Sequence, residues 1–486
     1  MTLKSKLKDP SLFRQDAYID GKWQQSDSGE TFVVVNPATG ERIGTAPRMG
    51  ADETRRAIDA ANTAWPAWRK KTAKERAAIM RRWFELMIEN ADDLAFILTT
   101  EQGKPLAEAK GEILYAASFI EWFGEEGKRI AGDTLASTAQ DKRILVTKEP
   151  IGVCVAITPW NFPAAMITRK VGPALAAGCT IVVKPSEATP YSAFALAVLA
   201  ERAGVPPGVL SIVTGKSRLI GGEMTSNRYV RKLSFTGSTE VGRVLMAQSA
   251  QTIKKVTLEL GGNAPFIVFE DADLDAAVEG AVASKYRNSG QTCVCTNRFY
   301  VHDRVYDEFA AKLAAAVAKL SIGPGTESGV VLGPLINEDA VKKVEAHIED
   351  AVSKGASVIA GGKRHPLGRS FFEPTVMTGV TPEMVVAKEE TFGPLSSLFA
   401  FSSDDDVIRM ANDTEYGLAA YFYSRDIRRV WRVAEALEYG MVGINTGLIS
   451  NEVAPFGGVK QSGLGREGSR YGIDDYVVIK YLCLAV

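Results

Sequence analysis

The chain has 486 residues, 46% of them hydrophobic, an ordinary share for a globular protein with a large core. Its 57 Lys and Arg against 58 Asp and Glu give a net charge of −1, which argues against binding to nucleic acid through bulk positive charge. Five Cys are too few for a disulfide scaffold, and three His without a zinc-type Cys–His spacing predict no metal site.

Residues 1–15 contain no apolar segment of the kind that a secretory signal needs. No run of 18 apolar residues occurs elsewhere, so the sequence predicts no membrane span. Together with the low Cys content, these features predict a cytoplasmic protein that contacts neither membranes nor nucleic acid.

In chain order, the first 50 residues predict short strands. Residues 51–127 predict three helices, and Ile79, Trp83 and Met87 recur there at the spacing of a core-facing stripe. Between residues 150 and 260, short apolar runs alternate with helical segments, which is typical of a doubly wound parallel sheet. The predicted strands there are Val153–Ile157, Thr180–Val183, Val209–Val213, Lys232–Phe235 and Lys255–Leu260.

A second alternation of strands and helices begins near Phe266 and extends to about residue 445, which predicts a second α/β domain. The segment Tyr476–Ala485 is very apolar. As an exposed edge strand it would promote aggregation, so we expect it to pair with another subunit or domain.

Two glycine-containing runs resemble phosphate-binding motifs only superficially. Gly463–Gly468 fits G-x-G-x-x-G, but only 18 residues follow it, too few for the required βαβ unit, so we predict a turn or loop. Gly215-Lys216-Ser217 lacks the earlier glycine of a P-loop, since residue 210 is Leu.

Ligands of doubly wound sheets lie beyond the carboxyl ends of the strands. The predicted strand ends carry polar or glycine-rich segments that are candidates for a binding site. These segments are Pro159–Asn161, Lys184–Glu187, Thr214-Gly215, Thr236–Ser238 and Glu259–Gly262.

Cys293 follows a predicted helix in a small, polar loop, unlike a Cys of the apolar core, so it is either a nucleophile or an inert exposed thiol. Glu259 ends an apolar strand before two glycines and can serve as a general base. The amide of Asn161 can stabilise a developing oxyanion. No His lies in a comparable position, which disfavours a Cys–His hydrolase.

Seven separated motifs, in order along nearly the whole chain, resemble the aldehyde dehydrogenase superfamily. The motifs are Trp160–Pro163, Lys184-Pro185, Phe235–Ser238, Glu259–Gly262, Gly290–Cys293, Glu390–Pro394 and Pro455–Gly458. Three further segments are similar to the succinate-semialdehyde dehydrogenases, from which the glutarate-semialdehyde enzymes are not separable by eye. These segments are Met166–Lys170, Tyr286–Asn288 and Ser450–Glu452.

The resemblance implies that Cys293 attacks an aldehyde, with the oxyanion held by Asn161 and by the Cys293 amide. Hydride transfer to a nicotinamide then leaves a thioester, which water activated by Glu259 hydrolyses. Lys170 and Glu467 would assist proton movement. The main function expected is oxidation of succinate semialdehyde to succinate. The alternatives are glutarate-semialdehyde or broader ω-carboxylated aldehyde oxidation, a CoA-acylating reaction, and a non-catalytic protein.

The resemblance also implies NAD or NADP as cofactor. Glu187 favours NAD, because a carboxylate accepts hydrogen bonds from ribose hydroxyls and repels a 2′-phosphate, and several NADP-preferring bacterial relatives have a small residue there. Gly237 and Ser238 begin a helix whose N-terminus suits the pyrophosphate. The expected cofactor-binding residues are Thr158, Pro159, Trp160, Lys184, Ser186, Glu187, Gly237, Ser238, Leu260, Glu390 and Phe392.

Substrate recognition requires a cation for the distal carboxylate. Arg169 and Arg287 match the family positions for it, with Ser450 as hydroxyl donor; the alternative is that either Arg makes a structural ion pair. Phe162 and Phe456 are expected to line the same site.

In some relatives the cysteine two residues after the nucleophile forms a reversible disulfide with it, which makes Cys295 a possible redox partner of Cys293. The alternative for Cys295 is a small loop-packing residue. Cys154, Cys179 and Cys483 lie in apolar runs and are predicted to be inert core thiols.

The family implies an α/β fold with three regions. A doubly wound dinucleotide-binding domain spans 1–128 and 148–258, an α/β catalytic domain spans 259–470, and a β-flap for oligomerisation spans 129–147 and 471–486. A homodimer or homotetramer is expected.

Overall fold

The computed structural model describes residues 3–486. Most of its helices connect strands of two large sheets. The α-helices are α1 (Ala51–Lys70), α2 (Ala73–Glu89), α3 (Ala91–Gln102), α4 (Leu106–Glu126), α5 (Ala165–Ala177), α6 (Pro190–Arg202), α7 (Ser217–Ser226), α8 (Thr239–Ala250), α9 (Leu274–Tyr286), α10 (Tyr306–Val317), α11 (Glu338–Ser353), α12 (Val385–Lys388), α13 (Asp404–Asn412) and α14 (Ile427–Ala436).

The strands are short, and those of the two large sheets are mostly buried. They are β1 (Ala17–Ile19), β2 (Lys22–Gln24), β3 (Thr31–Val35), β4 (Arg42–Pro47), β5 (Asp133–Leu135), β6 (Lys142–Pro150), β7 (Val153–Ile157), β8 (Thr180–Lys184), β9 (Leu210–Ile212), β10 (Val230–Thr236), β11 (Lys255–Glu259), β12 (Ala264–Val268), β13 (Thr296–His302), β14 (Ser357–Ala360), β15 (Thr375–Thr378), β16 (Leu395–Phe401), β17 (Ala419–Tyr423), β18 (Met441–Ile444), β19 (Gly463–Leu464) and β20 (Val477–Ala485).

The first large sheet has eight strands in the order β19-β11-β10-β7-β8-β9-β1-β2. The five from β11 to β9 are parallel, and their apolar sequences are buried because helices cover both faces. Strands β7, β8, β10 and β11 therefore end at the same edge of the sheet. This arrangement confirms the predicted doubly wound sheet and places the polar strand ends together.

The second large sheet has seven strands in the order β14-β15-β16-β13-β12-β17-β18, parallel except for β14. Its centre is aromatic: Phe266 of β12 stacks on Tyr423 of β17, with ring centroids 5.2 Å apart. The predicted second α/β unit is thus confirmed as a second sheet with its own core.

A three-stranded antiparallel sheet, β20-β6-β5, contains the apolar C-terminal segment. Strand β20 pairs along its whole length with β6 of the same chain and leaves its outer edge open. Cys483 lies on this strand and is exposed, so its prediction as a buried core thiol is wrong. Cys154 and Cys179 are buried as predicted. No helix among residues 3–486 is long and apolar enough to cross a membrane.

Residues 51–127 form four helices, not the predicted three. Thr72 starts α2 with a capping box to Glu75, Asn90 separates α2 from α3, and Gly103 ends α3 in the left-handed region at φ +99°. The apolar periodicity continues across these breaks, which is why it does not reveal them.

Four elements of the second unit, β15, α12, α13 and α14, were not predicted. The run Gly463–Gly468, predicted as a turn or loop, begins instead with the short strand β19 beside β11, and the rest of it is irregular.

Candidate active site

A cavity of about 250 Å³ lies between the ends of β7, β10 and β11 and the loops around the seven-stranded sheet. It brings together most of the residues that the sequence predicts for nucleophile, cofactor and substrate. The predicted residues that line it are Pro159, Trp160, Asn161, Phe162, Arg169, Gly237, Ser238, Leu260, Arg287, Cys293, Glu390, Phe392, Ser450 and Phe456.

Four predicted cofactor residues, Thr158, Lys184, Ser186 and Glu187, follow β7 and β8 and do not line this cavity. They lie on two neighbouring strand ends, since the amide of Thr158 donates to the carbonyl of Lys184 at 3.0 Å. This group therefore forms an extension of the site along the sheet edge.

Tyr115 of α4 also lines the cavity, and sequence reasoning missed it. It lies far along the chain from every motif. A tyrosine on a largely buried helix is usually a core residue, so the sequence carries no signal of its position.

Cys293 follows a segment with an unusual backbone. Asn288, Ser289 and Gly290 have φ values of +52°, +55° and +77°, three consecutive residues in the left-handed region. A Cβ on Gly262 would lie 2.6 Å from the carbonyl oxygen of Cys293, so glycine there permits the close approach of the two loops. Non-glycine residues with positive φ are strained, and such strain is found at functional sites.

The surroundings of Cys293 favour the protonated thiol at neutral pH. Burial raises its pKa to about 12, and the nearby Glu390 carboxylate adds to the rise, while Arg169 opposes it. The thiol therefore needs a base, or a change in its surroundings, before it can act as a nucleophile.

The Asn161 amide nitrogen donates to the carbonyl of Gln291 at 3.1 Å. Its second N–H is available for an oxyanion formed at Cys293. The main-chain oxygen of Asn161 accepts hydrogen bonds from Lys104 at 2.7 Å and from Asn288 at 3.1 Å. The loops that carry Asn161 and Cys293 are thus joined directly by hydrogen bonds.

Glu259 is 2% exposed at the end of β11 and does not line the cavity. Neither of its carboxylate oxygens has a hydrogen-bond partner within residues 3–486. Burial raises its pKa well above the ordinary value, and the nearby Glu467 raises it further. A buried carboxyl without partners is suited to accept a proton.

Arg169, Lys170 and Glu467 form a buried ionic network beside Glu259. Arg169 Nε lies 3.0 Å from Glu467 Oε2, and Lys170 contacts Glu467 Oε1 and Thr236 Oγ1, the latter at 2.6 Å. Arg169 therefore makes the ion pair that was the structural alternative, and it also lines the cavity. One side chain thus both pairs with Glu467 and faces the cavity.

Arg287 and Ser450 line the cavity together with Arg169 and add a second cation and a hydroxyl. The Arg287 guanidinium lies 5.4 Å from the centre of the Phe162 ring, and the Lys104 ammonium lies 3.8 Å from the same ring. The guanidinium of Arg169 lies 3.9 Å from the Phe456 ring. Aromatic rings thus hold both arginines, which lowers the cost of burying the cations.

Glu390 and Phe392 line the opposite part of the cavity. Glu390 Oε1 accepts the amide of Gly262 at 3.2 Å, and burial raises its pKa to about 7. The ring of Phe392 meets Trp160 edge to face at 5.7 Å.

The loop that carries Glu390 is anchored through Thr391. The Thr391 hydroxyl pairs with His347 Nδ1 at 2.8 Å, and its carbonyl accepts from Lys285 at 3.3 Å.

The sheet edge beyond the cavity fits a nicotinamide dinucleotide. Ser238 caps the N-terminus of α8, whose amides suit a pyrophosphate. The Thr158 hydroxyl is buried without a partner in the described chain, and the buried Lys184 ammonium contacts only the carbonyl of Pro185, at 3.2 Å. Glu187 contacts Ser217 Oγ at 3.4 Å. Buried polar groups with few hydrogen-bond partners thus lie along the sheet edge next to the cavity.

Cys295 is buried, with its sulfur 3.6 Å from the carbonyl of Lys285. Burial raises its pKa, while Lys285 opposes the rise. Among residues 3–486, no group of three His, Cys, Asp or Glu side chains is placed to hold a metal ion.

A family model described as the aldehyde dehydrogenase family matches residues 23–482. A glutarate-semialdehyde dehydrogenase from Pseudomonas aeruginosa is 70% identical over 98% of this chain and 99% of its own. A succinate-semialdehyde dehydrogenase from Escherichia coli, named for NADP(+), is 67% identical over 99% of this chain and 100% of its own. The crystal structure of a succinate-semialdehyde dehydrogenase from Burkholderia pseudomallei is 77% identical, with a TM-score of 0.98 over 99% of this chain and 100% of that one.

Proposed function

The chain belongs to the aldehyde dehydrogenase family, whose members use NAD or NADP, and we propose that it oxidises succinate semialdehyde to succinate. The observation that carries the proposal is the placement of two arginines, Arg169 and Arg287, in the cavity that holds Cys293. A four-carbon aldehyde with a terminal carboxylate has a carbonyl for the thiol and an anion for the cations. The relatives that act on semialdehydes support the same substrate class.

In this proposal Cys293 attacks the aldehyde carbon. The C–S bond forms, the thiol proton leaves to solvent water, and the carbonyl oxygen becomes an oxyanion. Asn161 Nδ2 and the amide of Cys293 stabilise it. Losing one such donor typically reduces kcat about 10²–10³-fold.

A bound nicotinamide dinucleotide supplies the acceptor for the hydride that leaves the thiohemiacetal carbon, so the product on Cys293 is a thioester. Glu259 then takes a proton from water as the water oxygen attacks the thioester. The C–S bond breaks with its electron pair going to sulfur, the carboxylic acid leaves, and the Cys293 thiolate takes a proton from solvent water. Lys170 and Glu467 lie beside Glu259 and are proposed to pass its proton onward.

For the cofactor, Glu390 and Phe392 would hold the nicotinamide half, Gly237 and Ser238 the pyrophosphate, and Lys184, Ser186 and Glu187 the adenosine. We favour NAD because the Glu187 carboxylate would repel a 2′-phosphate and accept ribose hydroxyls. The Escherichia coli relative is named for NADP(+), so the preference of this chain must be measured directly.

We propose assembly into a homodimer or homotetramer through the three-stranded sheet. Strand β20 exposes Ile479 (73%), Tyr481 (60%) and Leu484 (55%) beside an open strand edge. An exposed apolar edge strand of this kind promotes aggregation unless another chain or element packs against it. Light scattering of the purified protein tests this, and a monomer would contradict it.

We propose that the three predicted regions, with boundaries at 128, 148, 259 and 471, have separate functions. Cofactor binding is assigned to the region around the eight-stranded sheet. The nucleophile comes from the second region, and subunit pairing is assigned to the flap.

Steady-state kinetics with succinate semialdehyde, glutarate semialdehyde and butanal, each with NAD and NADP, test the proposed function. We expect the carboxylated substrates to exceed butanal in kcat/KM by about 10²-fold, as expected for charge-assisted contacts. Equal use of butanal would contradict it. Glutarate semialdehyde is the second candidate, favoured by the 70% identical relative.

A further inference from the structure

Tyr115 of α4 contributes a phenol to the cavity, and none of the roles assigned above explains it. It lines the same cavity as Arg169, Arg287 and Ser450. Its hydroxyl is buried and has no hydrogen-bond partner in the part of the chain that the structure describes. Buried hydroxyls nearly always have a partner, so an unpaired one in a binding cavity indicates a bond to a ligand or water.

Packing places the phenol next to Arg169. The Tyr115 ring meets the Phe119 ring edge to face, with centroids 4.8 Å apart. The Arg169 guanidinium lies 5.6 Å from the centre of the same Phe119 ring. Both side chains thus pack on the Phe119 ring, and both line the cavity.

Arg169 also retains one unused donor. Its Nε pairs with Glu467 Oε2 at 3.0 Å and its Nη1 contacts Met166 Sδ at 3.8 Å, but Nη2 has no hydrogen-bond acceptor within residues 3–486. The wall thus presents a guanidinium nitrogen and a hydroxyl, both without acceptors. A carboxylate has two oxygens and accepts from both kinds of donor.

We propose that the Tyr115 hydroxyl donates a hydrogen bond to the distal carboxylate of the semialdehyde and so contributes to substrate specificity. The inference rests on the proposed function, whose substrate it describes in more detail. Burial raises the pKa of Tyr115, so the phenol stays protonated and remains a donor at neutral pH.

Tyr115→Phe is the test, because it removes only the hydroxyl and keeps the ring on Phe119. We expect KM for succinate semialdehyde to rise about tenfold, as for a lost hydrogen bond to a charged group, with kcat within twofold of wild type. KM for butanal should be unchanged. Tyr191→Phe is the control: its hydroxyl is bonded to the carbonyl of Thr45 at 3.2 Å, away from the cavity.

Product inhibition gives a second measurement. Succinate should inhibit the Tyr115→Phe enzyme about tenfold less strongly than wild type, whereas butyramide should inhibit both equally. An equal KM change for succinate semialdehyde and butanal, or no change, would overturn the role of Tyr115 while the wild-type preference for carboxylated aldehydes still stands. Loss of that preference in the wild type would overturn both proposals.

Discussion

The ammonium nitrogen of Lys104 lies 2.6 Å from Glu112 Oε2, and each side chain is 1% exposed. Lys104 also donates to the carbonyl of Asn161 at 2.7 Å, while Glu112 Oε1 accepts the amide of Ala164 at 2.9 Å. The ion pair is therefore hydrogen-bonded to both ends of the short loop that carries the Asn161 amide. Its hydrogen-bond partners on that loop are main-chain atoms, so it fixes the position of the loop.

Lys104→Met is expected to lower kcat about 10–100-fold while leaving KM for aldehyde and cofactor within twofold, because it displaces the Asn161 amide from the oxyanion. It also leaves Glu112 unpaired, at a cost of about 3–5 kcal/mol in stability. Steady-state kinetics and urea unfolding measure the two effects.

Lys254→Met is the matched control for Lys104→Met. The Lys254 ammonium, like that of Lys104, donates to the main chain, here to the carbonyls of Asn227 and Val230, but away from the cavity. A similar fall of kcat in both variants would show that lost stability, and not loop position, causes the effect.

Glu259→Gln is expected to limit the enzyme to a single rapid turnover. The variant should still give a burst of about one NADH or NADPH per active site, since Cys293 can form the thioester, but hydrolysis should slow about 10²–10⁴-fold. Stopped-flow absorbance measures the burst. Absence of a burst would show that Glu259 is needed already to ionise Cys293.

The pH dependence follows from the raised pKa of Glu259. Its base form increases as pH rises through this raised pKa, above the ordinary carboxyl value of about 4.3, so kcat should rise with pH in that range, and this rise should be absent in Glu259→Gln. Because the folded-state pKa is raised, ionisation of Glu259 costs stability as pH rises. Glu259→Gln should therefore unfold at no lower urea concentration than wild type at pH 8.

The sequence predicted the buried strands well, because runs such as Val153–Ile157 are apolar whatever surrounds them. It also placed Asn161 and Glu259 together, since motifs at parallel strand ends meet at one sheet edge. Cys293 follows a helix and not a strand, and the family resemblance placed it in the same site. The sequence did not reveal Lys104 and Glu112, because charged residues of a helical region are usually solvated. Their burial is decided by contacts with Asn161 and Ala164, distant in the chain.

Arg287→Ala is expected to raise KM for succinate semialdehyde about 10–100-fold, as for loss of a charge-assisted contact of about 1.5–3 kcal/mol. KM for butanal should change less than twofold. Arg287→Lys keeps the charge and should recover part of the loss. Equal changes for the two aldehydes would exclude a contact with the distal carboxylate.

Glu187→Ser is expected to shift cofactor preference towards NADP. Removing the carboxylate should raise kcat/KM for NADP about five- to tenfold and lower it for NAD by a similar factor, since the repulsion and the ribose contacts disappear together. Glu223→Ser is the control, because Glu223 is a carboxylate of helix α7 that pairs with Arg55. A wild type that already prefers NADP strongly would contradict the role given to Glu187.

Cys295→Ala is expected to change how peroxide inactivates the enzyme. In wild type, oxidised Cys293 can be trapped by Cys295 two residues away, and dithiothreitol should restore activity. Both thiols have pKa values raised by burial, so inactivation should accelerate as pH rises and the thiolate fraction grows. In Cys295→Ala the recoverable fraction should fall several-fold, whereas Cys483→Ala, which removes the exposed thiol, should behave as wild type. Full recovery in Cys295→Ala would leave Cys295 with a packing role only.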